Sequence, residues 1–214
     1  MAEICETAGG DVTVLAKAIG YDPRIGNRFL QAGIGFGGGC LPKDIRAFMA
    51  RAEELGASQA VEFLKDIDAI NLRARKRVIN VVEKELGLDL KSFKIAVLGA
   101  AFKPDSDDVR DSPALDIAIQ IQAAGADVVI HDPKAIEPAR KRFPALNFVT
   151  TIDEALKDAE IVLHLTEWKI YREIDPVKAK SLVAKPIIID GRNALDRKRW
   201  KDAGWHFRAL GVTE

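Results

Sequence analysis

Cys40 stands between Gly35-Phe36-Gly37-Gly38-Gly39 and Leu41-Pro42-Lys43-Asp44. Proline suits the first turn of a helix, so the thiol is expected just before a helix N-terminus and beside Lys43, where the helix dipole and a cation favour thiolate over thiol. That is the chemistry of a nucleophile. One turn in, Asp44 could hold a water or shuttle a proton, or it could be a first-turn acid favoured by the dipole. An isolated cysteine is more often a buried apolar thiol, and that is the reading for Cys5 on its apolar helical face.

A second cluster follows the run Lys94–Leu98, where Gly99-Ala100-Ala101-Phe102-Lys103-Pro104 occupies the place of a G-x-G-x-x-G turn. That dinucleotide fingerprint fails, because Ala101 and Pro104 fill its next two glycine positions and no helix restarts until Pro113. The intervening loop carries Lys103, Asp105, Asp107, Asp108, Arg110 and Asp111. A nucleotide held there would depend on side-chain cations more than on a glycine turn, the alternative being a solvated surface loop. A third cluster, Asp190-Gly191-Arg192-Asn193, closes an apolar strand at its carboxyl end, where open α/β sheets bind ligands. Arg192 could meet a phosphate or carboxylate, or pair with Asp190 or a helix end. His131, His164 and His206 match no metal-ligand spacing, and they are expected, with Trp168, Trp200 and Trp205, in packing roles.

The elements that position these clusters divide into two regions. Residues 1–90 read as helices with one glycine-rich interruption: Met1–Ala8 stopped by Gly9-Gly10, then a helix capped by Asp11 and ending at Gly20, a turn at Tyr21-Asp22-Pro23, and a helix from Pro42 to Gly56. A long helix is expected from Ser58 to Leu86, with Phe63, Ile67, Ile70, Ala74, Val78 and Val81 on one stripe and the basic run Arg73–Arg77 as its solvated face. At about 1.5 Å per residue it would exceed roughly 40 Å, the length of a dimer seam or spacer. Residues 91–214 change to short β-branched runs alternating with helices: Lys94–Leu98, Asp127–His131, Asn147–Val149, Glu160–Leu165, Ile187–Asp190 and His206–Leu210. The fold class is α/β, a helical region followed by a doubly wound parallel sheet.

Of 214 residues, 48% are hydrophobic and 30% charged, an ordinary globular composition, and 32 basic residues balance 32 acidic ones. No global positive field exists to hold a polyanion, so nucleic acid is not expected as a partner. Two cysteines make neither a disulfide framework nor a structural zinc site and suit a reducing compartment, with cytoplasm as the expected address. Acidic residues Glu3, Glu6, Asp11 and Asp22 interrupt the place of a leader, and no apolar run reaches the roughly 20 residues of a membrane span.

Taken together, Gly35–Asp44, Gly99–Pro113 and Asp190–Asn193 resemble, in order, the motifs of the UDP-glucose/GDP-mannose dehydrogenase family, and Arg24–Leu30 matches the segment leading into that family's glycine loop. The resemblance implies an NAD-dependent, two-step oxidation of a sugar C6 alcohol to an acid, as from UDP-glucose to UDP-glucuronate. Cys40 would capture the aldehyde as a thiohemiacetal, oxidation would give a thioester, and Asp44 would assist the hydrolytic water. It further implies that Phe102, Lys103 and Arg192 hold the UDP-sugar, that Phe29 and the Gly37 backbone line the sugar pocket, and that Arg24 reaches a partner subunit's site. Lys43 and Arg110 would approach NAD, no metal would be needed, and the long helix would join a homodimer. Departures are Gly39, where many members carry serine, and Val109. Family members begin with an NAD-binding domain whose fingerprint this sequence lacks, so the chain alone is expected to be inactive. A non-catalytic nucleotide-sugar-binding or dimerisation module, or a relative acting on GDP-mannose or another nucleotide sugar, is the alternative.

Overall fold

Six β-branched runs become six parallel strands in the computed structural model, which describes residues 1–213: β1 (Lys94–Leu98), β2 (Asp127–His131), β3 (Asn147–Val149), β4 (Ile161–His164), β5 (Ile187–Asp190) and β6 (His206–Ala209). They pair in the order β3-β2-β1-β4-β5-β6. Burial on both faces explains why the four inner strands, β1, β2, β4 and β5, read as nearly continuous apolar runs, while the edge strands β3 and β6 do not. The order reverses between β1 and β4, and the crevice beyond their carboxyl ends is the switch point where such sheets bind ligands.

Helices α5 (Pro113–Ala123), α6 (Ile136–Arg142), α7 (Ile152–Leu156), α8 (Lys169–Arg172), α9 (Pro176–Lys180) and α10 (Arg197–Asp202) connect the strands. Their starts are written in the caps. Ser112 accepts the Leu115 N–H ahead of Pro113, Thr151 and Glu154 form a reciprocal capping box, and Asp175 and Asp196 each accept a first-turn amide. Trp200 and Trp205 pack edge to face at 4.7 Å, and His206 pairs with Glu85 at 3.2 Å.

Ahead of the sheet lie α1 (Ala2–Ala8), α2 (Val12–Gly20), α3 (Leu41–Glu54) and α4 (Phe63–Leu86). The single helix expected from Ser58 is broken at its start. Residues Ser58–Val61 tighten into a 3-10 turn that carries Val61 inward, leaving α4 with 24 residues. The expected stripe also divides. Val78 is buried, whereas Phe63, Ile67 and Ile70 remain exposed, and the covered face is Asn71, Arg75, Val78, Ile79 and Val82. Arg73–Arg77 is therefore not a solvated face throughout, because helical register turns Arg75 to the same side as Val78 and Val82.

The helical region and the sheet region expected to meet near residue 90 pack against each other through a shared core. Ile34, Val78, Ile79, Val82 and Leu90 join Ile95, Val97, Leu115, Ile117 and Ile121 in one buried cluster, and α4 packs on α5. At the other end, Val12 N–H donates to Gly211 O at 2.8 Å and Asp11 pairs with Arg197 at 3.0 Å, fastening α2 to the exit of β6. No helix among the described residues is long and apolar enough to cross a membrane.

Candidate active site

The glycine-rich segment before Cys40 lies directly against the loop that follows β1. Gly38 N–H donates to Arg110 O at 3.0 Å, and Gly38, at φ +95°, faces the Phe102 ring so closely that a Cβ there would sit 2.8 Å from a ring carbon. Only glycine meets both demands. Gly37 backs onto the Asp111 carbonyl, where any side chain would collide. Over Gly39 lies the Arg110 guanidinium, which occupies the space a serine side chain would need. Asp108, bonded to Arg110 at 2.7 Å, holds that guanidinium above its ordinary pKa, with a smaller contribution from Cys40 nearby.

Cys40 is exposed at the N-cap of α3, and its carbonyl accepts the Asp44 N–H at 2.8 Å. The Lys43 ammonium lies 3.6 Å from the Asp44 carboxylate, and both side chains face solvent. Cys5 is buried, as its helical face requires. The cation packed over Gly39, the residue before Cys40, is Arg110, which sequence spacing did not connect to the thiol.

Arg192 has a different occupation from the one its position suggests. Its Nε donates to Leu165 O at 2.8 Å, its two terminal nitrogens to Gly35 O at 3.2 Å and Phe102 O at 3.4 Å, and Glu167 pairs with it at 3.3 Å. One guanidinium therefore staples the ends of β1 and β4 to the glycine segment. Burial lowers its pKa from the usual guanidinium value while Glu167 and Asp190 oppose the shift. Lys103, by contrast, is exposed, its ammonium 5.4 Å from the Phe102 ring centroid. Arg24 binds Asp22 at 2.6 Å, and Phe29 projects from the chain 98% exposed at φ +62°, so neither is engaged by the loops around Cys40.

Sequence reasoning missed the layer beneath. Asn71 on α4 accepts the Phe36 N–H at 2.7 Å and donates to the Phe36 carbonyl at 3.0 Å, a clamp on the glycine segment. One turn on, Arg75 donates to Asp111 at 3.0 Å, Asp116 at 3.2 Å and Phe36 O at 3.3 Å. The signal available was spacing: Asn71 and Arg75 stand four apart, in phase with the apolar positions 78, 79 and 82. Beside Arg192, fully buried Asp190 accepts from His164 Nδ1 at 2.8 Å and from the Arg192, Ala194 and Leu195 amides. Burial pushes the Asp190 carboxyl up, but these donors hold it below its ordinary value.

The amide turn at the carboxyl end of β1 is already occupied. The Ala100 and Ala101 amides, which follow β1 where a dinucleotide fold would bind pyrophosphate, both donate to the Asp132 carboxylate. Among the described residues, no group of three or more His, Cys, Asp or Glu is gathered as metal ligands would be.

Residues 1–73 match the central domain of the UDP-glucose/GDP-mannose dehydrogenase family, and residues 96–197 match its UDP-binding domain. A UDP-glucose 6-dehydrogenase of Bacillus subtilis is 39% identical over 214 residues, which are 99% of this chain and 45% of that protein. The enzyme of the same name from Rhizobium meliloti is 36% identical over 211 residues, 99% of this chain and 48% of its own length. Among solved structures, a UDP-glucose dehydrogenase from the archaeon Pyrobaculum islandicum superposes with a TM-score of 0.85 at 31% identity, covering 99% of this chain and 46% of that one. The chain spans about half the length of the relatives it matches.

Proposed function

Because the chain belongs to the UDP-glucose/GDP-mannose dehydrogenase family, we propose that it carries the central and UDP-sugar-binding parts of a UDP-glucose 6-dehydrogenase. The observation that carries this reading is the contact of the Cys40 segment with the 102–111 loop at the sheet's switch point, fastened by Arg192. A nucleotide sugar lying along that loop presents its sugar to an exposed thiol. Cys40 is the nucleophile toward a C6 aldehyde, and Asp44, one turn into α3, handles water. Phe102 and Lys103 hold the nucleotide diphosphate, while Arg192 fixes the loops that present them. Lys43 and Arg110 form the rim facing the hydride acceptor. The family's NAD would be that acceptor, and the amide turn of this sheet does not receive it, so the chain alone is expected to give no NADH from UDP-glucose.

A second copy of the chain is proposed to cover the exposed Phe63, Ile67 and Ile70 on α4, a seam that exposed apolar residues at helical spacing support. Two unpaired cysteines suit a reducing cytoplasm. Calorimetric titration with UDP and UDP-glucose tests the substrate reading. Saturable binding is expected, weakened about tenfold or more in Lys103→Ala, since a charge-assisted contact contributes roughly 1.5–3 kcal/mol. Undetectable UDP binding, or unchanged affinity in both Lys103→Ala and Phe102→Ala, would place the nucleotide elsewhere. Sedimentation showing only monomer at micromolar concentration would refute the α4 seam.

A further inference from the structure

A doubly wound sheet ordinarily offers phosphate the free amides of the turn after its first strand, and an acid at the end of its second strand meets the ribose. Asp132 directly follows β2, yet its carboxylate turns inward. Oδ2 accepts the Ala100 N–H at 2.8 Å, the Ala101 N–H at 3.0 Å and the Trp168 Nε1–H at 3.1 Å. Oδ1 accepts the Lys134 and Ala135 amides at 2.9 and 2.8 Å. Asp132 is fully buried, and Trp168 closes over it.

We propose that Asp132 is a specificity-determining residue, a built-in anion that fills the amide turn at the switch point and bars a dinucleotide pyrophosphate from this sheet. An incoming phosphate would find both turn donors taken and a negative charge behind them, and like charges at that range repel strongly. The turn cannot easily rearrange to free them. The Ala100 carbonyl, on the same peptide as the Ala101 N–H, accepts the Ser112 hydroxyl at 2.7 Å, and the next carbonyl, Ala101, accepts the Thr166 hydroxyl at 2.8 Å, so the turn is held on the side away from Asp132 as well. Nor does a helix start here to favour an anion, since α5 begins only at Pro113. What remains for a nucleotide is the outer face of the 102–110 loop, a consequence that rests on the nucleotide-sugar reading above.

Two measurements on the full chain test the proposal. In amide-resolved NMR of the wild type, UDP is expected to shift Phe102–Arg110 and to leave Ala100 and Ala101 in place, while millimolar NAD+ leaves all of them unmoved. Shifts at Ala100 and Ala101 with either ligand would overturn it. In the second, Asp132→Gly opens a carboxylate-sized space against the two amides and Trp168. Formate is expected to raise its melting temperature saturably by several degrees and to leave the wild type unchanged. A folded Asp132→Gly that ignores formate would show that the turn is no anion site. If UDP shifts nothing while formate still rescues Asp132→Gly, the nucleotide reading fails and the internal anion stands.

Discussion

Replacing Arg75 by methionine removes the charge that ties α4 to both functional loops, and its cost can be worked from the geometry. The side chain is 4% exposed and engages Asp111 at 3.0 Å, Asp116 at 3.2 Å and the Phe36 carbonyl. Removing one member of a fully buried pair costs about 3–5 kcal/mol, chiefly because the partner is left charged and dry. Here the partners are 28% and 37% exposed, so water recovers part of that penalty. Adding the lost bond to Phe36, roughly 0.5–1.5 kcal/mol, the expected loss is about 3 kcal/mol. For a chain of this size that corresponds to a fall in melting temperature of roughly 6–12 °C, read by calorimetry and urea titration. Arg73→Met is the control. Its pair with Glu3 is half exposed and should contribute under about 0.5 kcal/mol. The double variant Arg75→Met/Asp111→Asn should regain part of the loss by neutralising the stranded acid. An Arg75→Met loss below about 1 kcal/mol, or no larger than that of Arg73→Met, would refute the view that Arg75 fastens the loops.

Iodoacetamide should modify Cys40 in the folded chain at least about tenfold faster than Cys5, which is buried and should react only on unfolding; equal rates by peptide mass spectrometry would contradict this placement. Burial holds His131 below its ordinary value of 6.5. Below that pH the unfolded chain takes up a proton that the folded chain does not, so stability should fall as pH drops from 6.5 toward 5, by at most about 1.4 kcal/mol per pH unit. His131→Phe should flatten that slope in urea titrations across the same range, and an unchanged slope would assign the proton uptake to other groups.

The sheet was legible because strands buried on both faces must be written as apolar runs, and because Ser112-Pro113 and Asp175-Pro176 mark helix starts by local chemistry alone. Order within the sheet was legible only as a class, since which strand lies beside which depends on crossovers that no local signal records. The exposed half of the site was legible for a related reason. Cys40, Lys103 and Arg110 sit on loops whose glycine, proline and charge content has no packing explanation. Asn71, Arg75 and Asp132 were not, because helical phase can turn a polar residue inward but its role shows only in the partner it meets. Those partners lie 35, 36 and 32 residues away. Arg75 in particular is camouflaged by Arg73, Lys76 and Arg77, and only the register of α4 separates the inward cation from the others.

That division between inner and outer cations decides what a ligand can recruit. Arg75 is buried and Arg192 partly buried, and both spend their donors on carbonyls and carboxylates that would be stranded without them, so moving either toward a phosphate forfeits several bonds at once. Arg110 is 63% exposed and held by Asp108 in a surface pair, which solvent screens and which contributes little. A phosphate can draw that guanidinium away from Asp108 at little cost. Lys103 is likewise exposed, with only the Phe102 ring to leave. Arg75 and Arg192 therefore fasten the two loops to each other, and Lys103 and Arg110 on the rim are the cations that an anion could recruit without stranding buried partners.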